Sequence, residues 1–196
     1  LPIYLSGSRK GPSMIPFCHG QKSSKVKAGF FYLSRGPEET RHLASALSRY
    51  SFPGLVILLS GTLGAGKTEF VRGFASGSGW GDVRSPSFTI INEYLASTPI
   101  THVDLYRVER NASTEFSLEE FSREGSIVLV EWPENWDGER PSEVWKIVFS
   151  VPEDLNSGRD AQNLRFLEVQ CEGGRACEML ERFMFGAGCE LEEADR

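Results

Sequence analysis

The sequence predicts an α/β fold, in which a mostly parallel central sheet is flanked by helices and carries an antiparallel addition at one edge. Strand-like and helix-like segments alternate along most of the chain, as they do in proteins with parallel sheets. The apolar runs at residues 55–59 and 127–130 lack polar alternation, which is typical of strands buried on both faces. A glycine-rich segment at residues 61–68 directly follows the first of these runs.

The first half of the chain supplies the elements around this glycine-rich segment. Pro37 begins a helical pattern in which Leu43, Leu47 and Tyr50 recur at i, i+4 and i+7, so we expect a helix that ends near residue 50. The elements expected after it are a strand, a helix and two strands that pair with each other, at residues 55–60, 68–75, 88–94 and 101–106.

The second half continues the alternation of elements. We expect a short helix, a buried strand, two strands that form a hairpin and a closing helix, at residues 118–121, 127–130, 144–151, 164–170 and 175–185. No internal repeat is visible in the sequence.

The glycine-rich segment satisfies every position of the motif G-x-x-x-x-G-K-[ST] and lies between a strand and a helix, as that motif requires. Glycine permits positive φ, so consecutive backbone N–H groups can point at one anion. We expect Lys67 to reach the terminal phosphates and the Thr68 hydroxyl to bind Mg²⁺. The fold is therefore predicted to resemble P-loop NTPases, with a phosphate loop formed by Gly61, Leu63, Gly64, Ala65, Gly66, Lys67 and Thr68.

Two carboxylates at strand ends are candidates to complete this site. Glu131 follows four apolar residues and precedes Trp132 and Pro133, so it is expected at the carboxyl edge of the sheet as a Mg²⁺ ligand. Asp104 is a second candidate, either to orient the attacking water or to bind Mg²⁺ through water. The alternatives are a solvent-facing Glu131 and an Asp104 that only caps a turn, and His102 receives no role.

The sequence specifies less well which nucleotide base is bound and which arginine neutralises the phosphate charge. Arg72, Arg84 and Arg107 are each candidates to neutralise phosphate charge. No [NT]-K-x-D segment, which reads guanine in GTPases, occurs in the chain, so ATP is the expected nucleotide. Trp132 is expected either to stack in the site or to belong to the core.

Composition limits the compartment and the partners. The longest apolar run has five residues, whereas a membrane helix needs about 20, so we expect no membrane span and a cytoplasmic location. The cysteines have no metal-binding spacing and are expected to be reduced; they are Cys18, Cys171, Cys177 and Cys189. The net charge is −6, and residues 1–37 carry six basic residues and no acid, so the rest is strongly acidic. This argues against a broad nucleic-acid-binding surface on this protein, so we expect no DNA partner and expect any RNA to be held by a partner protein.

Three regions are expected along the chain. Residues 1–32 are predicted to be a basic, disordered extension, residues 33–172 an ATPase domain, and residues 173–196 a C-terminal helix with an acidic tail. The extension has two interpretations, an organellar transit segment or a stretch upstream of a true start at Met14, and we favour the second.

Four blocks of sequence, at residues 59–68, 83–94, 102–107 and 130–134, resemble the TsaE (YjeE) family in order and spacing. These bacterial proteins are small P-loop ATPases of threonylcarbamoyl-adenosine tRNA modification. The resemblance spans roughly residues 33–170. The departures are Thr62 for an aspartate, Glu69 for a threonine and Ser87 for a threonine, and Glu69 adds negative charge beside the phosphates.

The resemblance implies an ATPase that serves partner enzymes of the TsaD and TsaB type, which modify tRNA next to the anticodon and hold the tRNA themselves. It implies Mg²⁺ roles for Thr68 and Glu131, a hydrolytic role for Asp104, and a switch-like loop at residues 85–89. Arg159 resembles a family arginine near the nucleotide.

Two other functions remain open from the sequence. A small-molecule kinase needs an arginine-rich lid, and the one lid-sized segment, residues 107–120, contains only Arg107 and Arg110. A nucleotide-binding interaction module without useful turnover is the third hypothesis.

Overall fold

The computed structural model describes residues 14–17, 28–86, 90–108, 118–151 and 163–190. These residues form one eight-stranded sheet with four α-helices and a short 3-10 turn at Pro133–Asn135. The strands are β1 (Met14–Phe17), β2 (Gly29–Ser34), β3 (Val56–Ser60), β4 (Ile91–Tyr94), β5 (Ile100–Asp104), β6 (Ile127–Glu131), β7 (Val144–Ser150) and β8 (Arg165–Glu172). The helices are α1 (Pro37–Ser48), α2 (Lys67–Gly77), α3 (Leu118–Arg123) and α4 (Gly174–Glu190).

The strand order is β1-β2-β8-β7-β3-β6-β5-β4. Strands β7, β3, β6 and β5 are parallel to one another, which confirms the predicted parallel centre of the sheet. The predicted antiparallel addition occurs at both edges rather than one. Strand β4 forms a hairpin with β5 at one edge, and β8, β2 and β1 run antiparallel at the other.

The two faces of the sheet are covered unequally. Helices α1, α2 and α4 pack on one face, where Phe70, Phe74 and Phe183 are among the largest buried side chains. Helix α3 covers the other face through Leu118 and the valines of β3, β5 and β6. Burial on both faces explains why β3 and β6 are continuous apolar runs rather than alternating ones. No described helix has both the length and the apolar character required to span a bilayer.

Helices α1 and α2 lie in close contact at two glycines of α2. A Cβ atom built on Gly73 would lie 2.3 Å from the carbonyl oxygen of Arg41, and one on Gly77 would lie 2.7 Å from that of Ser45. Real side chains do not tolerate such distances, so both positions need glycine for close helix packing. This packing fixes α2, which begins at the phosphate loop.

The structure differs from the sequence prediction at the N-terminus. Strand β1 lies inside the segment predicted to be disordered, and β2 crosses the predicted boundary between residues 32 and 33. In β2, Phe30 and Tyr32 are buried whereas Phe31 between them is exposed, which is the alternation of a half-buried strand. Residues 1–13 and 18–27 lie outside the described residues, and the three predicted regions otherwise stay a prediction.

The expectation of reduced cysteines is wrong for one pair. Cys171 on β8 and Cys177 on α4 form a disulfide. Their separation of six residues belongs to no recognised motif, and the turn at Gly173 (φ 99°) brings the helix back over the strand. The same helix start is also held by two hydrogen bonds, from the Trp145 indole to the Ala176 carbonyl (2.8 Å) and from the Ala176 N–H to Glu143 (2.7 Å).

Candidate functional site

The carboxyl ends of three adjacent parallel strands meet at one edge of the sheet and form a cavity of about 620 Å³. The phosphate loop follows β3, Asp104 ends β5, and Glu131 ends β6. The predicted site residues that line the cavity are Leu63, Gly64, Ala65, Gly66, Lys67, Thr68, Asp104 and Glu131. Ligands bind at this position in open α/β sheets, so the fold and the motif indicate the same site.

The backbone of the phosphate loop needs glycine for two separate reasons. Gly61, Gly64 and Gly66 have φ values of 146°, 74° and 104°, a region that other residues rarely adopt. A Cβ atom on Gly61 would also lie 2.7 Å from the carbonyl oxygen of Phe149. Gly66 caps α2 without any side-chain hydrogen bond, so the first turn presents its N–H groups to the cavity as an anion site does.

Lys67 is 4% exposed and holds its ammonium group inside the loop. Its Nζ donates to the carbonyl oxygens of Gly61 (2.7 Å) and Thr62 (2.9 Å), and lies 3.8 Å from the centre of the Trp132 ring. Burial lowers the pKa of Lys67, and nearby carboxylates, of which Glu131 has the largest effect, oppose that shift. The Lys67 ammonium is thus removed from water, and two carbonyl oxygens and the nearby carboxylates stabilise its positive charge.

Thr68 and Glu131 face each other at the base of the cavity. The Thr68 hydroxyl lies 2.9 Å from Oε1 and 3.1 Å from Oε2 of Glu131, which is almost fully buried. This places the predicted pair of hard oxygen ligands together. Among the described residues no group of three or more His, Cys, Asp or Glu is placed for a metal. The hydroxyl and the carboxylate of this pair are oxygen ligands of the kind that Mg²⁺ prefers, since proteins often hold this ion through one carboxylate while phosphates and water complete the shell.

Asp104 lines the cavity and also makes the contact that the turn-capping alternative predicted. Its Oδ1 accepts a hydrogen bond of 3.0 Å from the backbone N–H of Tyr106. Burial raises the pKa of Asp104, this hydrogen bond lowers it, and the charge of Glu131 raises it further. The hydrolytic role of Asp104 stays a prediction.

His102 lies behind the cavity wall and contacts Glu131, a residue of that wall, although the sequence predicts no role for it. It is fully buried, and its Nε2 lies 3.0 Å from Oε1 of Glu131. Its Nδ1 lies 3.1 Å from the hydroxyl of Tyr94 on the neighbouring strand. In the sequence His102 lies two residues before Asp104 on β5 and shares a face with it, but this spacing does not indicate the contact with Glu131 on the neighbouring strand.

Glu69, the unusual acid beside the loop, is paired with two arginines. Its Oε2 lies 2.9 Å from Nε of Arg41 on α1, and its Oε1 contacts the guanidinium of Arg72. Its charge is thereby compensated on the α1 side of α2. Of the three predicted phosphate-neutralising arginines, only Arg107 lines the cavity, because Arg72 contacts Glu69 and Arg84 forms an ion pair with Asp82.

Two cavity residues have strained backbones. Among the described residues, Ile90 (φ 65°) and Trp132 (φ 60°) are the non-glycine residues with positive φ, and both line the cavity. Such conformations cost about 1–3 kcal/mol each and persist where the surrounding structure enforces them, often at functional sites. The Trp132 ring lines the cavity at 4.9 Å from that of Tyr106, and it also packs, partly buried, against the core cluster beneath α3.

The other predicted site residues lie in different places. Gly61 supports the site through its carbonyl contact with Lys67 and is not on the cavity wall. Ser85 and Pro86 of the predicted switch-like loop line the cavity. Residues 87–89 of that loop, and Arg159, lie outside the described residues.

Comparison with known proteins gives a consistent result. The sequence model of one family, described as threonylcarbamoyl adenosine biosynthesis protein TsaE, matches residues 34–160. A curated protein of Bacillus subtilis (strain 168), named tRNA threonylcarbamoyladenosine biosynthesis protein TsaE, is 38% identical over 148 residues, which is 74% of this chain and 90% of that protein. A protein of the same name from Aquifex aeolicus is 43% identical over 101 residues, covering 50% of this chain and 71% of its own.

The likeness extends to the fold. The crystal structure of YdiB from Bacillus subtilis superposes with a TM-score of 0.69 at 31% sequence identity, covering 84% of this chain and 99% of its own. The matched part of the sequence contains the phosphate loop, Asp104, His102 and Glu131. Because the family match covers more than half of the chain, the chain belongs to the TsaE family.

Proposed function

We propose that this protein binds and hydrolyses ATP and acts as a nucleotide switch in the threonylcarbamoyl-adenosine modification of tRNA. Family membership supports the pathway. One observation carries the ATPase assignment: the Thr68 hydroxyl meets the buried Glu131 carboxylate at 2.9 Å, directly behind a glycine loop that holds Lys67. This arrangement is suited to Mg²⁺-nucleotide, because a hydroxyl and a carboxylate beside a phosphate loop are the oxygen ligands that such sites use.

The residues of the cavity divide the binding task. The N–H groups at the start of α2 and the Lys67 ammonium bind the phosphates, and Arg107 adds positive charge at the cavity wall. Thr68 and Glu131 would hold Mg²⁺, which neutralises phosphate charge when bound. In the structure Lys67 donates to Gly61 and Thr62, so nucleotide binding exchanges carbonyl contacts for phosphate contacts.

Hydrolysis is assigned to Asp104. One of its carboxylate oxygens accepts the Tyr106 N–H, which orients the side chain and leaves the other to orient water. The raised pKa of Asp104 makes its carboxylate a stronger base than an unperturbed aspartate. We expect slow turnover by the protein alone, because no described residue besides Asp104 is assigned to the attacking water.

The chemical output of this ATPase is proposed to be a change in partner binding. Ser85, Pro86 and Ile90 line the cavity next to the position of the nucleotide, so this segment can respond to the γ-phosphate. The partners are proteins of the TsaD and TsaB type, which carry out the transfer and hold the tRNA. The acidic charge of the body is consistent with tRNA contact through those partners.

Phosphate release, measured with and without the partner proteins and tRNA, tests this proposal. We expect slow release by the protein alone, faster release with partners, and threonylcarbamoyl-adenosine in the tRNA only when ATP and this protein are both present. Partner-independent formation of ADP that instead transfers the phosphoryl group to a small acceptor, without release of free phosphate, would contradict the switch and favour a kinase. A protein that fails to bind ATP would contradict the whole proposal.

A further inference from the structure

A continuous chain of hydrogen bonds connects the proposed metal ligands to the backbone of Arg84. The Thr68 hydroxyl contacts Glu131 at 2.9 Å, and Oε1 of Glu131 lies 3.0 Å from Nε2 of His102. Nδ1 of His102 lies 3.1 Å from the hydroxyl of Tyr94, which donates to the Arg84 carbonyl at 2.9 Å. This series of hydrogen bonds therefore runs from α2 through β6, β5 and β4 to the segment that follows α2.

The middle of this chain is excluded from water. Glu131, His102 and Tyr94 are 3%, 0% and 5% exposed. Hydrogen bonds in such surroundings are electrostatically stronger than those at the surface, and a member left without a partner is costly. A movement at one end of the chain is thus transmitted to its neighbours rather than absorbed by solvent.

The far end of the chain belongs to the wall of the nucleotide cavity. Arg84 directly precedes Ser85 and Pro86, which line the cavity. Ile90, also on the wall, donates its N–H to the Pro86 carbonyl, and its own carbonyl accepts the N–H of Asp104 at 2.9 Å. The segment is therefore attached to β4 at Arg84 and to β5 at Ile90.

The hydrogen bond from Tyr94 to Arg84 depends on the position of Glu131, because the Tyr94 hydroxyl also contacts His102. A neutral histidine that donates from Nε2 to Glu131 accepts at Nδ1. The single hydroxyl proton of Tyr94 is then shared between Nδ1 of His102 and the carbonyl oxygen of Arg84. A shift of Glu131 towards a cation would change how His102 presents Nδ1, and so would change the hydrogen bond from Tyr94 to Arg84, one of the two side-chain donors to that carbonyl.

We propose that His102 and Tyr94 are positioning residues that couple the metal ligand Glu131 to the cavity wall at Arg84 to Pro86. They touch neither the phosphates nor the cavity, since neither belongs to its lining, and they act through the carboxylate at one end and the carbonyl at the other. This inference rests on the proposed function, because it concerns the response to Mg²⁺-nucleotide.

Tyr94→Phe is the most specific variant. It removes the hydroxyl and keeps the ring that packs 6.0 Å from Trp80, and the Arg84 carbonyl retains the Asn92 side chain as a donor at 3.1 Å. The matched control is Tyr32→Phe, which removes the hydroxyl of another buried tyrosine, on β2 towards the opposite edge of the sheet. Two variants of His102 complement it. Asparagine places an amide near Nδ1 and loses the contact to Glu131, whereas glutamine places one near Nε2 and loses the contact to Tyr94.

The measurements are the amide exchange of Arg84, Ser85 and Ile90, and the affinity for a non-hydrolysable ATP analogue with and without Mg²⁺. In the parent and in Tyr32→Phe we expect Mg²⁺-analogue to slow exchange at these amides. In Tyr94→Phe and both His102 variants this slowing should be lost, and the Mg²⁺-dependent gain in affinity should fall roughly fivefold, the value of one hydrogen bond. Affinity without Mg²⁺ should change less than about twofold.

The outcomes separate the inference from the function on which it rests. A parent protein that shows no Mg²⁺-dependent analogue binding contradicts the proposed function. A parent that binds, together with Tyr94→Phe protein that keeps the full slowing of exchange, overturns the coupling alone. If His102→Asn or His102→Gln retained the response as Tyr32→Phe does, the buried chain would be a packing feature only. Circular dichroism identifies any unfolded variant, and Tyr94→Phe decides the question if either His102 variant does not fold.

Discussion

Lys67 holds its ammonium group between two carbonyl oxygens of the phosphate loop and the ring of Trp132. Its pKa is lowered by burial, so the cation is held in a site where water does not screen it. The only other lysine among the described residues, Lys146, is paired with Glu172 on β8 away from the cavity. No second lysine is therefore placed to replace Lys67.

Lys67→Ala is expected to reduce Mg²⁺-ATP affinity by roughly 100-fold or more, since a charged donor to phosphate is worth about 1.5–3 kcal/mol per hydrogen bond. Isothermal titration calorimetry measures this directly. Lys146→Ala, which removes a lysine of the same domain, should leave the affinity unchanged. Near-normal affinity of the Lys67 variant would contradict the phosphate-loop assignment.

Glu131 and Asp104 are adjacent at the ends of paired strands but are assigned different tasks. Glu131→Ala should weaken Mg²⁺-dependent nucleotide binding, because it removes the carboxylate that faces Thr68. Asp104→Ala should spare binding and reduce single-turnover hydrolysis, by a factor of roughly 10²–10⁴ for the loss of a group that orients or accepts a proton. Equal losses of affinity in both variants, with turnover per bound ATP intact, would refute this division.

The raised pKa of Asp104 predicts a pH-dependent effect on stability. Because burial raises the pKa in the folded state above its value of 3.8 in the unfolded chain, ionisation at neutral pH disfavours folding. Asp104→Asn keeps the acceptor for the Tyr106 N–H and removes the charge. Its melting temperature in metal-free buffer should exceed that of the parent at pH 8, and the difference should vanish towards pH 4. A difference that grows on acidification would have the wrong sign.

At the scale of elements, the position of α2 depends on its contact with α1. Gly73→Ala adds a Cβ atom against the backbone of Arg41, which cannot move aside as a flexible side chain can. The gain in helix propensity, about 1 kcal/mol, is smaller than the strain, so we expect a net loss of about 1–3 kcal/mol in the free energy of unfolding. Gly174→Ala at the start of α4 is the matched control, because its Cβ meets open space. Equal denaturant midpoints for both variants would disprove close packing at Gly73.

The elements differ in how well the sequence predicts them, and the reason is the range of the contacts involved. Local sequence patterns specify the phosphate loop, β3 and β6. The structure confirms the predicted positions of these elements and the burial of the two strands. Strand β2 was missed because Phe30 and Tyr32 are buried by contacts with β8 and α4, more than 100 residues later in the chain. The disulfide was missed for a different reason, since a turn at Gly173 creates it rather than a motif.

The site shows the same contrast. Lys67, Thr68 and Glu131 were predicted because a motif and a buried strand specify them, and they converge in the structure. His102 was missed because its role depends on register, which places it opposite Asn92 and beside Leu129 in neighbouring strands. Pairing of strands brings Tyr94 and Glu131 to its two ring nitrogens, and no pattern in the sequence records that geometry.

At the scale of the whole molecule, nucleotide binding in the cavity and the conformation of the segment on its wall are proposed to be coupled. The cavity proposed to bind nucleotide lies at the carboxyl edge of the sheet, and Ser85 and Pro86 lie on its wall. A nucleotide changes partner affinity only to the degree that it binds the two states of this segment differently, and the partner changes nucleotide affinity by the same factor. Typical couplings of about 1–3 kcal/mol correspond to factors of roughly 5 to 150.

The dissociation constant between this protein and the proposed TsaD- and TsaB-type partners, measured in ATP analogue, in ADP and without nucleotide, tests the switch most directly. We predict that the analogue-bound and ADP-bound forms differ by roughly 5- to 150-fold in partner affinity. Lys67→Ala protein should show a single partner affinity in all three buffers. Equal dissociation constants for the parent in all three conditions, together with fast hydrolysis by the isolated protein, would contradict the account.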